Sequence, residues 1–227
     1  MRLHSCTSLL LLCALTGCSL WSPDYEPAPD AALQELLARD QDAAASDSLA
    51  AERLQFAVER LATRHPSHVP SQVAAAALAL ERGQPQRAQG YLDRALKLAP
   101  SHVEARCLRV RVAVQDGSMD LARALVDEGL RARPDAAALY ESSAWLHQLE
   151  GRHEDALRAL DAAGALGAPG WRIAFHRGLV EELRGASAAA AAHYRAALQE
   201  NPDCAAAAQR LAGLRALGRD PAGGGAR

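Results

Sequence analysis

The chain contains 227 residues, of which 49% are hydrophobic and only 4% aromatic, and its formal net charge at pH 7 is −2. This length fits one elongated domain with terminal appendages better than two globular domains. A nucleic-acid partner is not indicated, because Lys97 is the single lysine and the basic residues form no stripe with aromatics among them.

Residues 1–17 have the organisation of a cleaved secretory signal peptide. Arg2 supplies a positive charge near the start, and the apolar run from Leu9 to Leu15 is too short to span a bilayer stably. The tetrad Leu-Thr-Gly-Cys at positions 15–18 resembles the lipobox of bacterial lipoproteins, which implies cleavage before Cys18 and acylation of that cysteine. An ordinary signal peptide without a lipid anchor is the alternative interpretation.

The lipobox resemblance also implies a location for the mature protein. Ser19 after the cysteine favours the outer membrane, with the protein on the inner leaflet facing the periplasm. Several acyl chains exceed the marginal membrane affinity of a single chain, so we expect stable attachment. Residues 18–30 contain Pro23, Pro27 and Pro29 and are predicted to form an extended tether between the membrane and the folded part.

Residues 31–68 are predicted to form a degenerate N-terminal hairpin. The two segments Ala31–Ala45 and Leu49–Arg64 each have the apolar periodicity of an amphipathic helix. Leu49 occupies the place of a glycine that recurs in every later unit. We interpret this hairpin as a terminal cap, which a stack of repeats needs for solubility.

Residues 69–204 carry an internal repeat with a period of 34 residues, marked by Gly83, Gly117, Gly151 and Gly185. Three further columns keep the same period: a first small column, a second small column and a bulky apolar column. Their members are Ala88, Ala122, Ala156 and Ala190; Ala95, Gly129, Ala163 and Ala197; and Leu92, Val126, Leu160 and Tyr194. A fixed period of this length predicts an all-α solenoid of stacked helical hairpins.

Each column has a physical role in this prediction. The glycines permit the left-handed backbone that ends a first helix, and the small residues allow two helix backbones to approach closely. Pro100, Pro134 and Pro202, with Pro169 one residue late, end the second helices. Capping residues are also predicted at helix starts: Ser101 and Glu104 as a capping box, and Asp203 as the cap of a helix over Cys204–Leu217.

This pattern resembles the tetratricopeptide repeat, and the resemblance covers about 136 of the 227 residues. It divides the array into units 69–102, 103–136, 137–170 and 171–204, followed by a capping helix at 205–218 and a tail at 219–227 that is predicted to be disordered. Two positions depart from the family pattern. The seventh, usually apolar, holds Arg109, Ser143 and Arg177, and the eleventh, usually aromatic, holds His147 and Glu181.

No constellation of residues predicts catalysis, a cofactor, a bound metal or a small-molecule substrate. Cys107 and Cys204 lie almost three repeats apart, so a disulfide between them is improbable. The pairs His65–His68 and His147–His153 lack the spacing that places two metal ligands on one helix face. Phosphate loops, dinucleotide fingerprints and serine-nucleophile motifs are missing from the sequence as well.

The resemblance instead implies a protein-binding groove on the concave face, lined by the first helix of each unit. Ten residues at the implied positions are candidates to bind a partner: Ala77, Leu80, Arg111, Val114, Glu141, Trp145, Leu149, Phe175, Leu179 and Glu182. Aromatic residues and arginine are common anchors in protein interfaces. The alternative is that Trp145 and Phe175 merely pack between adjacent hairpins.

These observations predict an outer-membrane-anchored periplasmic scaffold without catalytic activity. Its expected partners are other proteins of the envelope, and lipoproteins of similar organisation suggest a role in assembling a pilus or secretion apparatus. The alternative function is an adaptor that recruits peptidoglycan-remodelling enzymes.

Overall fold

The computed structural model describes residues 28–42 and 48–218, and these residues form eleven helices and no strand. The helices are α1 Pro29–Asp42, α2 Ser48–Arg64, α3 Val69–Glu81, α4 Pro85–Leu98, α5 Val103–Gln115, α6 Met119–Ala132, α7 Ala137–Leu149, α8 His153–Ala165, α9 Gly170–Leu183, α10 Ser187–Glu200 and α11 Ala205–Ala216. The predicted all-α hairpin solenoid is confirmed. The signal peptide, Cys18, residues 18–27 of the tether and the tail at 219–227 lie outside the described residues.

Four hairpins stack in chain order, each made of a first helix and a second helix. The pairs are α3 with α4, α5 with α6, α7 with α8 and α9 with α10, and each second helix also packs against the first helix of the next unit. The hairpin of α1 and α2 packs on α3 at one end, and α11 packs on α10 at the other. The array is therefore one continuous stack over units 1 to 4, numbered from α3.

The repeated glycines end the first helices as the sequence predicted. Gly83, Gly117, Gly151 and Gly185 have φ values between +67° and +78°, a left-handed backbone that residues with a Cβ rarely adopt. The residue after each glycine donates its backbone N–H to the carbonyl five residues earlier, at 2.8–2.9 Å. This Schellman arrangement satisfies carbonyls at the helix end and reverses the chain into the second helix.

The small and bulky columns form the core, and each of their residues is buried. In unit 4 the bulky position holds Tyr194, and the facing position holds Gly178. A Cβ at Gly178 would overlap the tyrosine ring. In unit 2, a Cβ at Gly129 would lie 2.5 Å from Cδ of the buried Arg106. Each of these glycines therefore makes room for a large side chain, Tyr194 in unit 4 and Arg106 in unit 2.

Two capping predictions were wrong. The N-cap of α5 is His102, whose Nδ1 accepts the N–H of Ala105 at 3.2 Å, because the helix begins one residue later than a cap at Ser101 requires. Asp203 does not cap α11, because the helix begins at Ala205 and its N-cap is Cys204, which makes no side-chain capping bond.

The start of the first helix also differs from the prediction. Helix α1 begins at Pro29, two residues before the predicted start at Ala31. Proline is tolerated in the first turn of a helix because the N–H it lacks has no helical partner there. The last two residues of the predicted tether, Pro29 and Asp30, thus belong to the folded part.

Candidate functional site

Successive first helices are joined by side chains on one face of the array. The Cys107 thiol on α5 contacts the Ala138 carbonyl on α7 at 3.6 Å, and Nη2 of Arg172 on α9 donates to Oε1 of Glu141 on α7 at 2.6 Å. Between α5, α7 and α9 lies a cavity of about 260 Å³, which we call the central cavity. Its lining residues are Cys107, Ala138, Glu141, Ser142, Trp145, Arg172 and His176.

The charges of the central cavity are paired with each other. Glu141 is only 11% exposed, and its ion pair with Arg172 leaves the cavity without a strong net charge. Nε of Arg172 is buried and has no hydrogen-bond partner in the described part of the chain. A buried donor without a partner costs free energy, so this N–H is a local cost of the arrangement.

The two other reactive groups of the cavity are uncharged near neutral pH. Burial lowers the pKa of His176, and Arg172 lowers it further while Glu141 opposes the shift. Burial also raises the pKa of the Cys107 thiol, and Glu141 and Glu104 add to that shift against a hydrogen bond with Ser142. A protonated thiol is a poor nucleophile, so burial disfavours covalent catalysis by Cys107.

The ten predicted groove residues do not all lie on an accessible surface. Glu141 and Trp145 line the central cavity, while Arg111 and Leu149 are exposed. The prediction for Leu80 was wrong. This side chain is 2% exposed and packs with the core residues of units 1 and 2, because the next hairpin covers the end of α3. Two others are half-buried, namely Ala77 and Val114.

The predicted groove residues of α9 mainly hold the last helices together. Phe175 and Leu179 pack on the buried cluster around Tyr194 and Leu211, and the ring centroids of Phe175 and Tyr194 are 5.9 Å apart. Glu182 accepts the Tyr194 hydroxyl at 2.6 Å. Phe175 is thus half-buried against α10 of its own hairpin and the cluster that continues into α11. Trp145 packs on the cluster of Val110 and Leu146 and also lines the cavity.

Several exposed leucines form a pattern that sequence reasoning recognised only in part. Leu149, Leu183 and Leu217 are 51%, 58% and 65% exposed, and they recur at the 34-residue period at the ends of α7, α9 and α11. We call these three residues the leucine ladder. The equivalent residues of units 1 and 2 are Glu81 and Gln115. Reading this column down the repeats would have revealed the ladder.

Arginine, serine and histidine side chains surround a second cavity, of about 270 Å³, between α6, α7 and α8. Ser143 and His147, which depart from the family pattern, line it together with Arg123 and Arg152. Glu150 accepts hydrogen bonds from both arginines, at 2.7 Å and 2.6 Å. Burial raises the pKa of Glu150, but these two hydrogen bonds outweigh it and lower the pKa. In unit 3 the polar residues at the seventh and eleventh positions, Ser143 and His147, thus line a cavity beside the ion pairs of Glu150.

The histidine pairs singled out in the sequence do not come together as ligands. Nε2 of His68 lies 2.9 Å from Oδ1 of Asp30 on α1. Among the described residues there is no group of three histidine, cysteine, aspartate or glutamate side chains that could hold a metal ion. In the same residues, no helix combines the length and the apolarity that crossing a membrane requires.

Comparison with known proteins identifies the repeat. Two family models described as tetratricopeptide repeat match the chain, one over residues 79–146 and the other over residues 143–205. Together they span more than half of the chain. No curated protein matches the sequence.

Solved structures share this architecture at low sequence identity. A thermophilic tetratricopeptide repeat protein of Thermus thermophilus is 17% identical with a TM-score of 0.72, and the match covers 83% of this chain and 100% of that one. PilF of Pseudomonas aeruginosa is 21% identical with a TM-score of 0.57, over 73% and 80%. MamA of Desulfovibrio magneticus RS-1 is 18% identical with a TM-score of 0.54, over 78% and 95%. These likenesses are of fold.

Proposed function

Because the chain belongs to the tetratricopeptide repeat family, whose repeats imply a protein-interaction scaffold, we propose that it helps to assemble a pilus or secretion apparatus in the bacterial envelope. In this proposal the acylated Cys18 anchors the protein to the outer membrane. The repeats face the periplasm and bind other envelope proteins through the face that carries the central cavity.

The central cavity is the observation that carries the proposal. Its lining comes from three successive first helices, so the cavity exists only in the assembled array. Trp145 provides an aromatic wall of the cavity. An apolar side chain of a partner protein would fill this space.

The absence of an enzymatic role is part of the same proposal. Tetratricopeptide repeat proteins are generally non-catalytic scaffolds. Within the central cavity, the raised pKa of the Cys107 thiol and the neutral His176 supply neither a thiolate nor a charged acid. The function proposed here therefore needs no cofactor and no small-molecule substrate.

One structural neighbour is consistent with the assembly role. PilF of Pseudomonas aeruginosa is pilus-related, and its fold matches 73% of this chain. At 21% identity the likeness concerns the fold alone, so it directs the choice of experiment rather than deciding the function.

The proposal is tested by site-specific photocrosslinking in the native bacterium. A photoreactive phenylalanine replaces Trp145 in one strain and the exposed Leu98 of α4 in a control strain, and crosslinked proteins of the membrane fraction are identified by mass spectrometry. Pilus or secretion subunits captured only from position 145 are the expected result. Peptidoglycan-remodelling enzymes at that position would favour the adaptor function instead, and equal capture from both positions would remove the cavity from the proposal.

The anchor is tested separately by Cys18→Ala. This variant is expected to fractionate with soluble periplasmic proteins, since it retains no acyl chain. If Cys18→Ala remains in the membrane fraction as the native protein does, the lipid anchor is refuted.

A further inference from the structure

Helix α2 of the N-terminal hairpin carries a row of exposed side chains that the core of the solenoid does not use. Leu49, Arg53, Phe56 and Arg60 follow one another at intervals of four, three and four residues, which places them on one face of the helix. Phe56 is 67% exposed, more than any other large apolar side chain of the described residues, and Leu49 is 52% exposed. We call these four residues the α2 stripe.

The α2 stripe has a net positive charge. Arg53 and Arg60 are exposed, and they make neither an ion pair nor a hydrogen bond with the residues that the structure describes. The two acids of α2 are paired with arginines of unit 1, Glu52 with Arg82 at 3.2 Å and Glu59 with Arg87 at 2.7 Å. An apolar centre beside two unpaired arginines is complementary to a surface that offers both apolar groups and negative charge.

The polypeptide between Cys18 and the folded part joins the fold beside this stripe. Nε2 of His68, four residues after the end of α2, lies 2.9 Å from Oδ1 of Asp30 at the start of α1. The start of α1 therefore lies near the end of α2 that carries Arg60. Cys18 precedes Pro29 by eleven residues, and even a fully extended chain of that length reaches only about 40 Å.

We propose that the α2 stripe lies on the anionic phospholipid surface of the membrane to which Cys18 is attached. Phe56 and Leu49 insert at the level of the headgroups, and Arg53 and Arg60 contact phosphates while their aliphatic stems follow the apolar side chains inward. This inference rests on the proposed function, because the acylated Cys18 is what brings the stripe to a membrane.

The stripe is a second and weaker attachment than the lipid anchor. An arginine near an anionic membrane strengthens binding by about fivefold, and a single acyl chain is already a marginal anchor. Without the anchor the contact is therefore reversible, and Cys18→Ala still leaves the membrane when fractions are washed. With the anchor in place, the short tether keeps the stripe close to the membrane, so a weak contact is enough to hold the N-terminal hairpin there.

A second copy of the chain is a poor occupant of the stripe. In a symmetric dimer the same patch meets itself, so Arg53 and Arg60 of one copy would face the same two arginines of the other. Like charges across an interface reduce affinity. An anionic membrane instead offers a phosphate to each arginine and an apolar layer to Phe56.

The first test measures flotation of the full mature chain with lipid vesicles. The chain carries Cys18→Ala, so it has no acyl chain, and the vesicles contain phosphatidylglycerol and phosphatidylethanolamine in equal parts. The charge variant adds Arg53→Gln and Arg60→Gln, and the apolar variant adds Leu49→Gln and Phe56→Gln. All four positions are exposed, so circular dichroism should show the same helicity in every form.

Each variant has a matched control at exposed positions outside α2. The charge control carries Lys97→Gln and Arg111→Gln and removes the same two positive charges from the chain. The apolar control carries Leu98→Gln and Leu166→Gln, at positions that are 48% and 41% exposed.

The expected result is weak binding to the anionic vesicles that depends on the stripe. The partition coefficient should fall at least about tenfold in the charge variant and in the apolar variant, and stay within about twofold in both controls. Exchanging phosphatidylglycerol for phosphatidylcholine should lower it as much as the charge variant does. No binding to anionic vesicles, equal binding to both kinds of vesicle, or equal losses in variants and controls would overturn the proposal.

The second test uses the anchored protein in the native bacterium. A photoreactive phenylalanine replaces Phe56 in one strain and Leu98 in a control strain, with Cys18 intact. Phospholipid adducts should be the main product at position 56 and not at position 98. A defined protein captured at position 56 would overturn the proposal in favour of an acidic protein partner, a crosslinked dimer would overturn it in favour of a second copy, and equal phospholipid adducts at both positions would remove the stripe from the membrane contact.

Failure of this inference can be distinguished from failure of the proposed function. If pilus or secretion subunits crosslink at position 145 but the stripe variants bind vesicles as the native stripe does, the membrane contact fails and the assembly role stands. If the stripe binds anionic vesicles but no pilus or secretion subunit is captured at position 145, the assembly role fails and the membrane contact stands.

Discussion

Units 1 and 2 differ from units 3 and 4 in what surrounds the core columns that all four share. In all four units the two small columns and the bulky column are buried. In the first two units the fourth residue of the unit is a buried polar side chain, Gln72 or Arg106. In the last two units the same position holds Tyr140 and Ala174, which are half-buried.

The buried polar residues of the first half fasten the turn that enters each unit. Nη2 of Arg106 donates to the Pro100 carbonyl at 2.6 Å, and Nε2 of Gln72 donates to the Ala62 carbonyl at 2.7 Å and to the Pro66 carbonyl at 3.4 Å. Pro66 and Pro100 each lie six residues before the donor. Two different side chains therefore perform the same structural task at the same place in the repeat.

The second half uses the corresponding freedom to build surfaces. The central cavity is centred on α7 and α9, and the leucine ladder begins at the end of α7. The stacking columns and the turn glycines recur in all four units. Outside them, units 1 and 2 carry a buried polar side chain that bonds the entering turn, whereas units 3 and 4 carry most of the cavity lining and the first two ladder leucines.

The strongest test of the shared core is a charge placed in the same column of both halves. Ala88→Arg and Ala156→Arg should each destabilise the protein by more than about 3 kcal/mol, because both alanines are fully buried and an arginine there must overpack the hairpin and lose water. Chemical denaturation measures the loss. Ala189→Arg, at an exposed position of α10, is the control and should change stability by less than about 0.5 kcal/mol. A tolerated Ala88→Arg would mean that the two halves do not share one core.

The next test concerns the contact between Gly178 and the Tyr194 ring in unit 4. Gly178→Ala should cost about 2–3 kcal/mol, because the new Cβ overlaps the ring of Tyr194 and the hydroxyl of that tyrosine is held by Glu182. Adding Tyr194→Leu should recover much of the loss, since unit 1 pairs Ala76 with Leu92 at these positions. A double-mutant cycle followed by thermal unfolding measures the coupling. Additive losses would show that the glycine and the tyrosine are independent.

A smaller effect is expected at the turn of unit 2. Arg106→Leu still fills part of the buried site with an apolar side chain but leaves the Pro100 carbonyl without its donor. We therefore expect the free energy of unfolding to fall by about 1–2 kcal/mol. Hydrogen exchange should locate the loosening at the turn before α5. Arg111→Leu, at an exposed position of the same helix, is the control and should leave stability nearly unchanged. Equal effects of the two variants would remove the assigned role of Arg106.

The sequence predicted the features that the repeat itself enforces. The same constraints recur every 34 residues and fix Gly83 and its equivalents, the small columns and the helical hairpins. The prediction for one unit is therefore supported by the same pattern in the next. The central cavity does not recur. It depends on Cys107, Arg172 and His176 meeting from different units, and no column of the sequence records that meeting.

The errors have local physical causes. Leu80 occupies a position that the family resemblance assigns to the groove, but the neighbouring hairpin buries it in the core. Ser101 and His102 both carry an acceptor close to the start of α5, and the backbone of the turn decides in favour of His102. Phe175 is half-buried because Tyr194 offers it a ring to pack on, so its place in the groove stays a prediction.

The smallest expected effect is a difference in acid sensitivity between units 1 and 2 and units 3 and 4. Burial lowers the pKa of His147, His176 and His193, and all three lie in units 3 and 4. A lowered pKa means that the unfolded chain binds more protons than the folded chain just below pH 6.5, so the free energy of unfolding decreases as the pH falls through that range. Hydrogen exchange at pH 7.5 and 5.5 should therefore show acid loosening of α7, α9 and α10 first.

His176→Gln tests the origin of this acid sensitivity. The variant keeps a polar side chain in the central cavity but cannot bind the proton, so part of the difference in stability between pH 7.5 and 5.5 should disappear. That difference should be smaller than the loss in Arg106→Leu, because protonation leaves the packing of each column intact. His65→Gln, in the turn after α2, is the matched control and should retain the native pH dependence. If both variants keep that dependence unchanged, the buried imidazole of His176 is not its source, and His147 and His193 become the next groups to substitute.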